Sequence, residues 1–317
     1  MLAPNKKNNN FHQRTLASEI DCVGIGIHSG AKVSMTLKPA DANTGIVFVR
    51  TDLDGDNVIH ANWENVTDTR LCTLISNQSG AFVGTIEHLV AALRGCDIHN
   101  VIVEIDGPEV PVMDGSSAPF VFLIECAGIR RQDALLKFIK IKKKIAVTDG
   151  IKYASLSPSQ FTSYEFAIDF DASIIGHQEF FMNLHEGAFK NEISRARTFG
   201  FVSEFDKLRS MGLARGASLD NAIAITDNQV LNAGGLRWSD EFVRHKLLDA
   251  IGDTYLAGAP IIGHFKGIRS GHALNHKMIC ELFKKQDAWE YKTFPELAES
   301  FKEDLGDISS AVEVAIA

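Results

Sequence analysis

At 317 residues, with 45% hydrophobic and 23% charged side chains, the chain has ordinary globular usage, which excludes wholesale disorder and supplies one large domain or two medium ones. Its formal charge of -8 is carried with lysine and arginine scattered, so there is no basic footprint for nucleic acid. The five cysteines, Cys22, Cys72, Cys96, Cys126 and Cys280, contain no C-x-x-C pair; they signal neither a disulfide framework nor a thiolate zinc site and fit a reducing compartment.

The N-terminal MLAPNKKNNNFHQ lacks the apolar core of a signal peptide, and residues 1–12 read as a disordered lead. The longest apolar stretch, Phe120 to Ile129, is broken by Glu125, so no membrane insertion is expected and the protein should be cytoplasmic. From Thr15, short runs such as AKVSMTLKPA and TGIVFVRTDL alternate apolar and polar residues, as antiparallel strands do. TIEHLVAALRGC then reads as a helix with Thr85 as N-cap and Gly95 as stop; NVIVEIDG is a strand, and APFVFLIECAG a second helix closed by Gly128.

Near residue 135 the pattern restarts. KFIKIKKKIAV and SYEFAIDF alternate like strands, while EFVRHKLLDAIGDTYLAG and HALNHKMICELFKKQ have helical spacing. Strands followed by helices thus occur twice without a residue-level repeat, predicting an α+β fold of two domains, 13–134 and 135–317. The basic run Lys140 to Lys144 reads as a solvated sheet edge or, less economically, a phosphate contact.

The sharpest chemical signal is HKLLDAIGD, where His245, Asp249 and Asp253 recur four residues apart on one helical face, opposite Leu247, Leu248, Ala250 and Ile251. Imidazole and carboxylate suit zinc, whose catalytic sites use three protein ligands and leave a position for water. An exposed face carrying a His/Asp pair serves the pattern equally well. His88, next to Glu87 in the first turn of its helix, is a candidate third ligand; the plainer reading is a glutamate complementing the helix dipole beside a surface histidine. His272 follows Ser270 and Gly271 on a loop entering a helix, and His28 sits between glycines in GIGIHSG, as a turn or a substrate contact. H-E-x-x-H, a cysteine quartet, a P-loop and a Rossmann G-x-G-x-x-G are all absent.

Taken together and in order, DTRLCT, TIEHL, PVMDGSSAPFV, ISRARTFGF, FVRHKLLDAIGD and SGHALN resemble the UDP-3-O-acyl-N-acetylglucosamine deacetylase family, over nearly the whole chain from Thr15. The resemblance implies two similar two-layer domains, each a mainly antiparallel sheet with two helices, the helices packed between the sheets. It also implies one catalytic Zn2+ on His88, His245 and Asp249, with Glu87 as general base, His272 as general acid, Asp253 tuning it, and Lys246 and Thr198 at the reacting centre. Phe199, Leu71 and Cys72 match positions near the substrate, and Lys152, Asp169, Phe170 and Arg269 match positions toward the nucleotide end. An insert over about 202–225, including Val202, Phe205, Ala217 and Ser218, would line a passage for the fatty acyl chain.

Its implied substrate is a UDP-linked acylated amino sugar, handled by a monomer that hydrolyses the N-acetyl amide in the committed step of lipid A biosynthesis. Arg215 and Ala217 stand where glycine-rich sequence is common in the family, and a methyl group there would shorten or reshape the acyl passage. Some members are fused to a dehydratase, for which the end at Ala317 leaves no room. Two competing classes are another zinc amidase or esterase on the same scaffold, and a non-catalytic binding protein retaining it.

Overall fold

The computed structural model describes residues 11–297 and residue 299. Residues 1–10 of the expected lead lie outside the described residues; His12 already opens a strand, His12–Leu16, antiparallel to Ile129–Leu135.

Alternation builds the first main sheet. In Lys32–Pro39, Val33, Met35 and Leu37 turn inward and the residues between them face outward, as a half-buried strand requires. The sheet order is Ile20–Ile25, Lys32–Pro39, Val101–Ile105, Ile46–Arg50, Val58–His60. Only the pairing of Ile46–Arg50 with Val101–Ile105 is parallel. The second main sheet repeats this plan with Ile145–Asp149, Lys152–Ser157, Ile261–Ile268, Thr162–Asp169 and His177–Asn183. Again the late strand Ile261–Ile268 sits centrally, antiparallel to the first hairpin and parallel to the second. Lys137–Ile141 and Trp289–Thr293 extend the sheet along the start of that strand.

The helices fall at equivalent places. Helix α1 (Glu87–Gly95) precedes and α2 (Ala118–Ala127) follows the central strand of the first sheet. A short α3 (Val202–Ser210) lies in the segment between the second hairpin of the later sheet and α4 (Glu241–Tyr255); α5 (His272–Lys284) follows the central strand. The α+β class is as expected, and one continuous apolar cluster runs through both sheets and the helices joining them.

Packing of α1 on α4 positions everything that follows. At Gly252 of α4 a Cβ would lie 2.2 Å from the Glu87 carbonyl oxygen and 3.2 Å from its Cα, so the helices meet backbone to backbone. Because neither contact is a flexible side chain, Gly252→Ala should cost about 1–3 kcal/mol, the scale of overpacking. Urea unfolding reads that loss, and turnover should fall further than stability alone would account for, since the displaced backbone carries Glu87 and His88.

Two local expectations change. Thr85 does not cap α1: its φ is +54°, its hydroxyl donates to Glu109 at 2.8 Å, and the helix begins at Glu87. The lysine run does not form one strand edge. It ends the internal strand Lys137–Ile141 and turns before Ile145–Asp149, with Lys142 paired to Glu290, Lys143 to Asp287, and Lys144 over the Tyr153 ring.

Candidate functional site

One turn apart on α4, His245 and Asp249 face α1, while Leu247, Leu248, Ala250 and Ile251 fill the core behind them. His88, in the first turn of α1, completes a cluster whose ligand atoms lie within 4.8 Å of one another. Asp249 Oδ1 is 3.6 Å from His88 Nε2 and 3.4 Å from His245 Nε2, and the two rings meet edge to face at 5.0 Å. His245 Nδ1–H donates to the Ala196 carbonyl at 3.1 Å, which leaves the Nε2 lone pair facing Asp249.

Burial keeps both imidazoles neutral: His88 is pushed down to about 3 by burial and then by His245, and His245 is lowered chiefly by burial. Burial works to raise Asp249, but His245, Lys246, His272 and His88 hold it well below the usual carboxylate range, and Lys246 Nζ donates to its Oδ2 at 2.7 Å. Asp249 Oδ1 is buried with no hydrogen-bond donor. An ionised oxygen without a donor, facing the ring nitrogens of two neutral imidazoles, is completed by a cation, so the donor set fits a metal ion.

Beside this cluster lies a second group. Glu87 Oε2 accepts the Thr73 N–H at 3.0 Å, and Oε1 is 3.8 Å from His272 Nε2. His272 Nδ1 meets Asp253 Oδ2 at 2.9 Å; Asp253 also accepts from the Thr73 hydroxyl at 2.6 Å and from Asn275 at 2.9 Å. Ser270 fixes the Asn275 amide in turn. Burial lifts Glu87 to about 7. It would lower His272, but Asp253 and then Glu87 outweigh it and hold the imidazolium to about 9.

Both groups open into a cavity of about 660 Å³. Thr198 and Phe199 enter it from the segment that Arg197 ties to α4: Arg197 Nε donates to the fully buried Glu241 at 2.9 Å, and the Thr198 N–H to the Gly115 carbonyl at 2.8 Å. Leu71, Phe170, Val202, Phe205, Ala217 and Ser218 also line the cavity, with Phe170 packed on the Phe199 and Phe201 rings. Leu208, Ile223 and Leu231 add to its apolar lining, with Glu204 and Asp206 also on the wall.

The remaining sequence candidates lie off this wall. Cys72 sits near Gly84; Lys152 is the exposed first residue of an otherwise largely buried internal strand; and Asp169 pairs with Arg269 at the end of the second sheet's central strands. His28 does line the cavity, on a loop whose N–H groups at His28 and Ser29 donate to buried Glu109. Thr73, Asn275 and Gly252 escaped the sequence reading, since a lone threonine, asparagine or glycine in these surroundings carries no pattern.

Neutral imidazoles converging on a buried carboxylate, with a second carboxylate and a charged imidazole alongside, define a hydrolytic enzyme whose centre can hold a metal ion. The sequence signature of the UDP-3-O-acyl N-acetylglycosamine deacetylase (LpxC) family matches residues 13–284, and the chain belongs to that family. It is 50% identical over 284 residues to the UDP-3-O-acyl-N-acetylglucosamine deacetylase of Pasteurella multocida, covering 89% of this chain and 93% of that protein. The enzyme of the same name from Chromohalobacter salexigens is 52% identical over 286 residues, covering 90% and 94%. That from Hahella chejuensis is 51% identical over 290 residues, covering 91% and 96%.

Proposed function

We propose that this protein hydrolyses the N-acetyl amide of UDP-3-O-(hydroxyacyl)-N-acetylglucosamine to the free amine and acetate, the committed step of lipid A biosynthesis. The observation that carries the reading is the donorless Asp249 Oδ1 between two imidazoles, beside Glu87 and opening into a cavity lined largely by apolar side chains. His88, His245 and Asp249 would hold zinc, which when bound supplies Lewis acidity, making water a better acid and the carbonyl a better electrophile.

Glu87 takes the proton of the attacking water. Lys246 and Thr198, which both line the cavity, are assigned to favouring the developing oxyanion by charge and hydrogen bonding. His272, oriented by Asp253, places a proton on the departing nitrogen, without which an amide anion would have to leave. Phe199, Val202 and Phe205 offer the acyl chain an apolar wall. Phe170, Asp169, Arg269 and Lys152 we assign to the nucleotide end, with Leu71 on the cavity wall and Cys72 beside it near the substrate.

The same reading divides the chain into domains over 13–134 and 135–317 and places a monomeric enzyme in the cytoplasm. No helix among the described residues is long and apolar enough to cross a membrane. The test is acetate release from the UDP-sugar by purified protein, before and after chelation and zinc readdition. Stoichiometric release restored by zinc is expected. Cleavage of other acyl amides or esters but not this one points to a different amidase on the scaffold, and absence of both bound zinc and hydrolysis to a binding protein.

A further inference from the structure

Thr73 is 2% exposed, and all its polar atoms are engaged. Its N–H donates to Glu87 Oε2 at 3.0 Å, its carbonyl accepts the Ile86 N–H at 3.4 Å, and its hydroxyl donates to Asp253 Oδ1 at 2.6 Å while lying 3.2 Å from His272 Nδ1. One residue thereby touches side chains from three helices: Glu87 of α1, Asp253 of α4 and His272 of α5.

The Asp253 carboxylate shows why the hydroxyl matters. Its Oδ2 is shared by His272 and Asn275, whereas among the described residues Oδ1 receives a hydrogen bond from Thr73 alone. With Oδ1 released, the carboxylate can rotate about its own axis, and the imidazole hydrogen-bonded to Oδ2 rotates with it. On the other side, the Thr73 N–H is one of the groups that set the direction of Glu87.

The backbone around Thr73 is fixed for this purpose. Leu71, two residues earlier, has φ +68°, in the left-handed region that a leucine adopts only under constraint, and it turns its side chain into the cavity. Immediately after Thr73, Leu74–Ser76 pairs antiparallel with both Val66–Asp68 and Phe82–Val83. Thr73 is thus clamped between a strained residue and a small three-stranded sheet.

We infer that Thr73 is a positioning residue that sets the spacing between the proton acceptor Glu87 and the proton donor His272, through its backbone N–H to one and its hydroxyl to the carboxylate beneath the other. The inference rests on the proposed roles of those two residues, but its geometric part stands apart from the substrate.

Thr73→Val keeps shape and backbone while removing the hydroxyl; Thr73→Ser restores it. With zinc-loaded protein and the UDP-sugar substrate, Thr73→Val should lower kcat about tenfold or more with KM within about twofold, since small misplacements of transferring groups have that scale. Zinc content should be unchanged, Thr73→Ser should return kcat to within about twofold of the parent, and a crystal structure of Thr73→Val should show Asp253 and His272 rotated. Parent-level kcat in Thr73→Val, a serine variant as impaired as the valine, or Asp253 and His272 unmoved would each overturn the inference. If Thr73→Val does not fold, Thr73→Ala takes its place. If the parent releases no acetate, the proposed function fails, and the rotation of Asp253 and His272 alone decides this inference.

Discussion

Asp249→Ala is expected to abolish turnover and metal retention together. The carboxylate is the only anionic member of the cluster, its Oδ1 standing 3.4 Å and 3.6 Å from the two facing nitrogens. Without it two neutral imidazoles remain, and Lys246 loses the partner it reaches at 2.7 Å, placing an unpaired ammonium beside the site that should attract a cation. Turnover should fall by about 10³-fold or more, the rate equivalent of several kcal/mol of charge stabilisation. Purified variant should carry far less than one zinc per chain by elemental analysis, and zinc readdition should rescue chelated parent but not the variant. Asp249→Asn tests charge against shape: it keeps the volume and one carbonyl oxygen, so recovery of metal by the asparagine variant would show that geometry, not the negative charge, does the holding. Full zinc and full turnover in the alanine variant would remove the centre from the mechanism.

How much of this was visible beforehand depended on whether a residue's role followed from its own element. His245 and Asp249 were legible because a helix returns to nearly the same face after four residues. Asp253 belonged to the same apparent stripe, yet it serves a different partner. Each four-residue step turns about 40° past a full circle, so eight residues carry a side chain about 80° away, from α1 toward α5. His88 and Glu87 were readable as the opening of a helix, but what brings that opening onto α4 is Gly252, whose missing side chain leaves no mark of its purpose in the sequence. Thr73 acts through hydrogen bonds to positions 14, 180 and 199 residues away, and no local periodicity encodes contacts at those separations. Thr85 looked like an N-cap by residue type, and the competing pull was a distant carboxylate, Glu109. The duplicated architecture was legible in the order of strands and helices, although the residues themselves do not repeat. Lys152, Asp169 and Arg269 rested on family resemblance alone, as did Leu71, Phe199 and Val202, since no periodicity or spacing singles any of them out.

Glu87→Gln and His272→Ala should each lower kcat by about 10²-fold or more, the usual contribution of a positioned proton acceptor or donor. The amide of glutamine can still accept the Thr73 N–H that Glu87 receives at 3.0 Å, so the substitution removes basicity with little loss of structure. Zinc content should stay at the parent level in both variants, which separates them from Asp249→Ala. Their pH profiles should differ in a defined direction. Glu87, raised to about 7 by burial, acts ionised, so turnover climbs as pH rises through its titration; a cation on the neighbouring cluster would move that limb lower. His272, held to about 9 chiefly by Asp253 and Glu87 against the opposing effect of burial, acts charged, so turnover declines as pH rises past that value. His272→Ala should therefore lose the alkaline limb and keep the acid one, and Glu87→Gln the reverse. Because the two residues serve successive proton transfers on one reacting group and share Thr73, the double variant should fall by less than the product of the single losses. Parent-level kcat in either single variant would show that the proton takes another route, with Lys246 the next candidate because it reaches the same cavity.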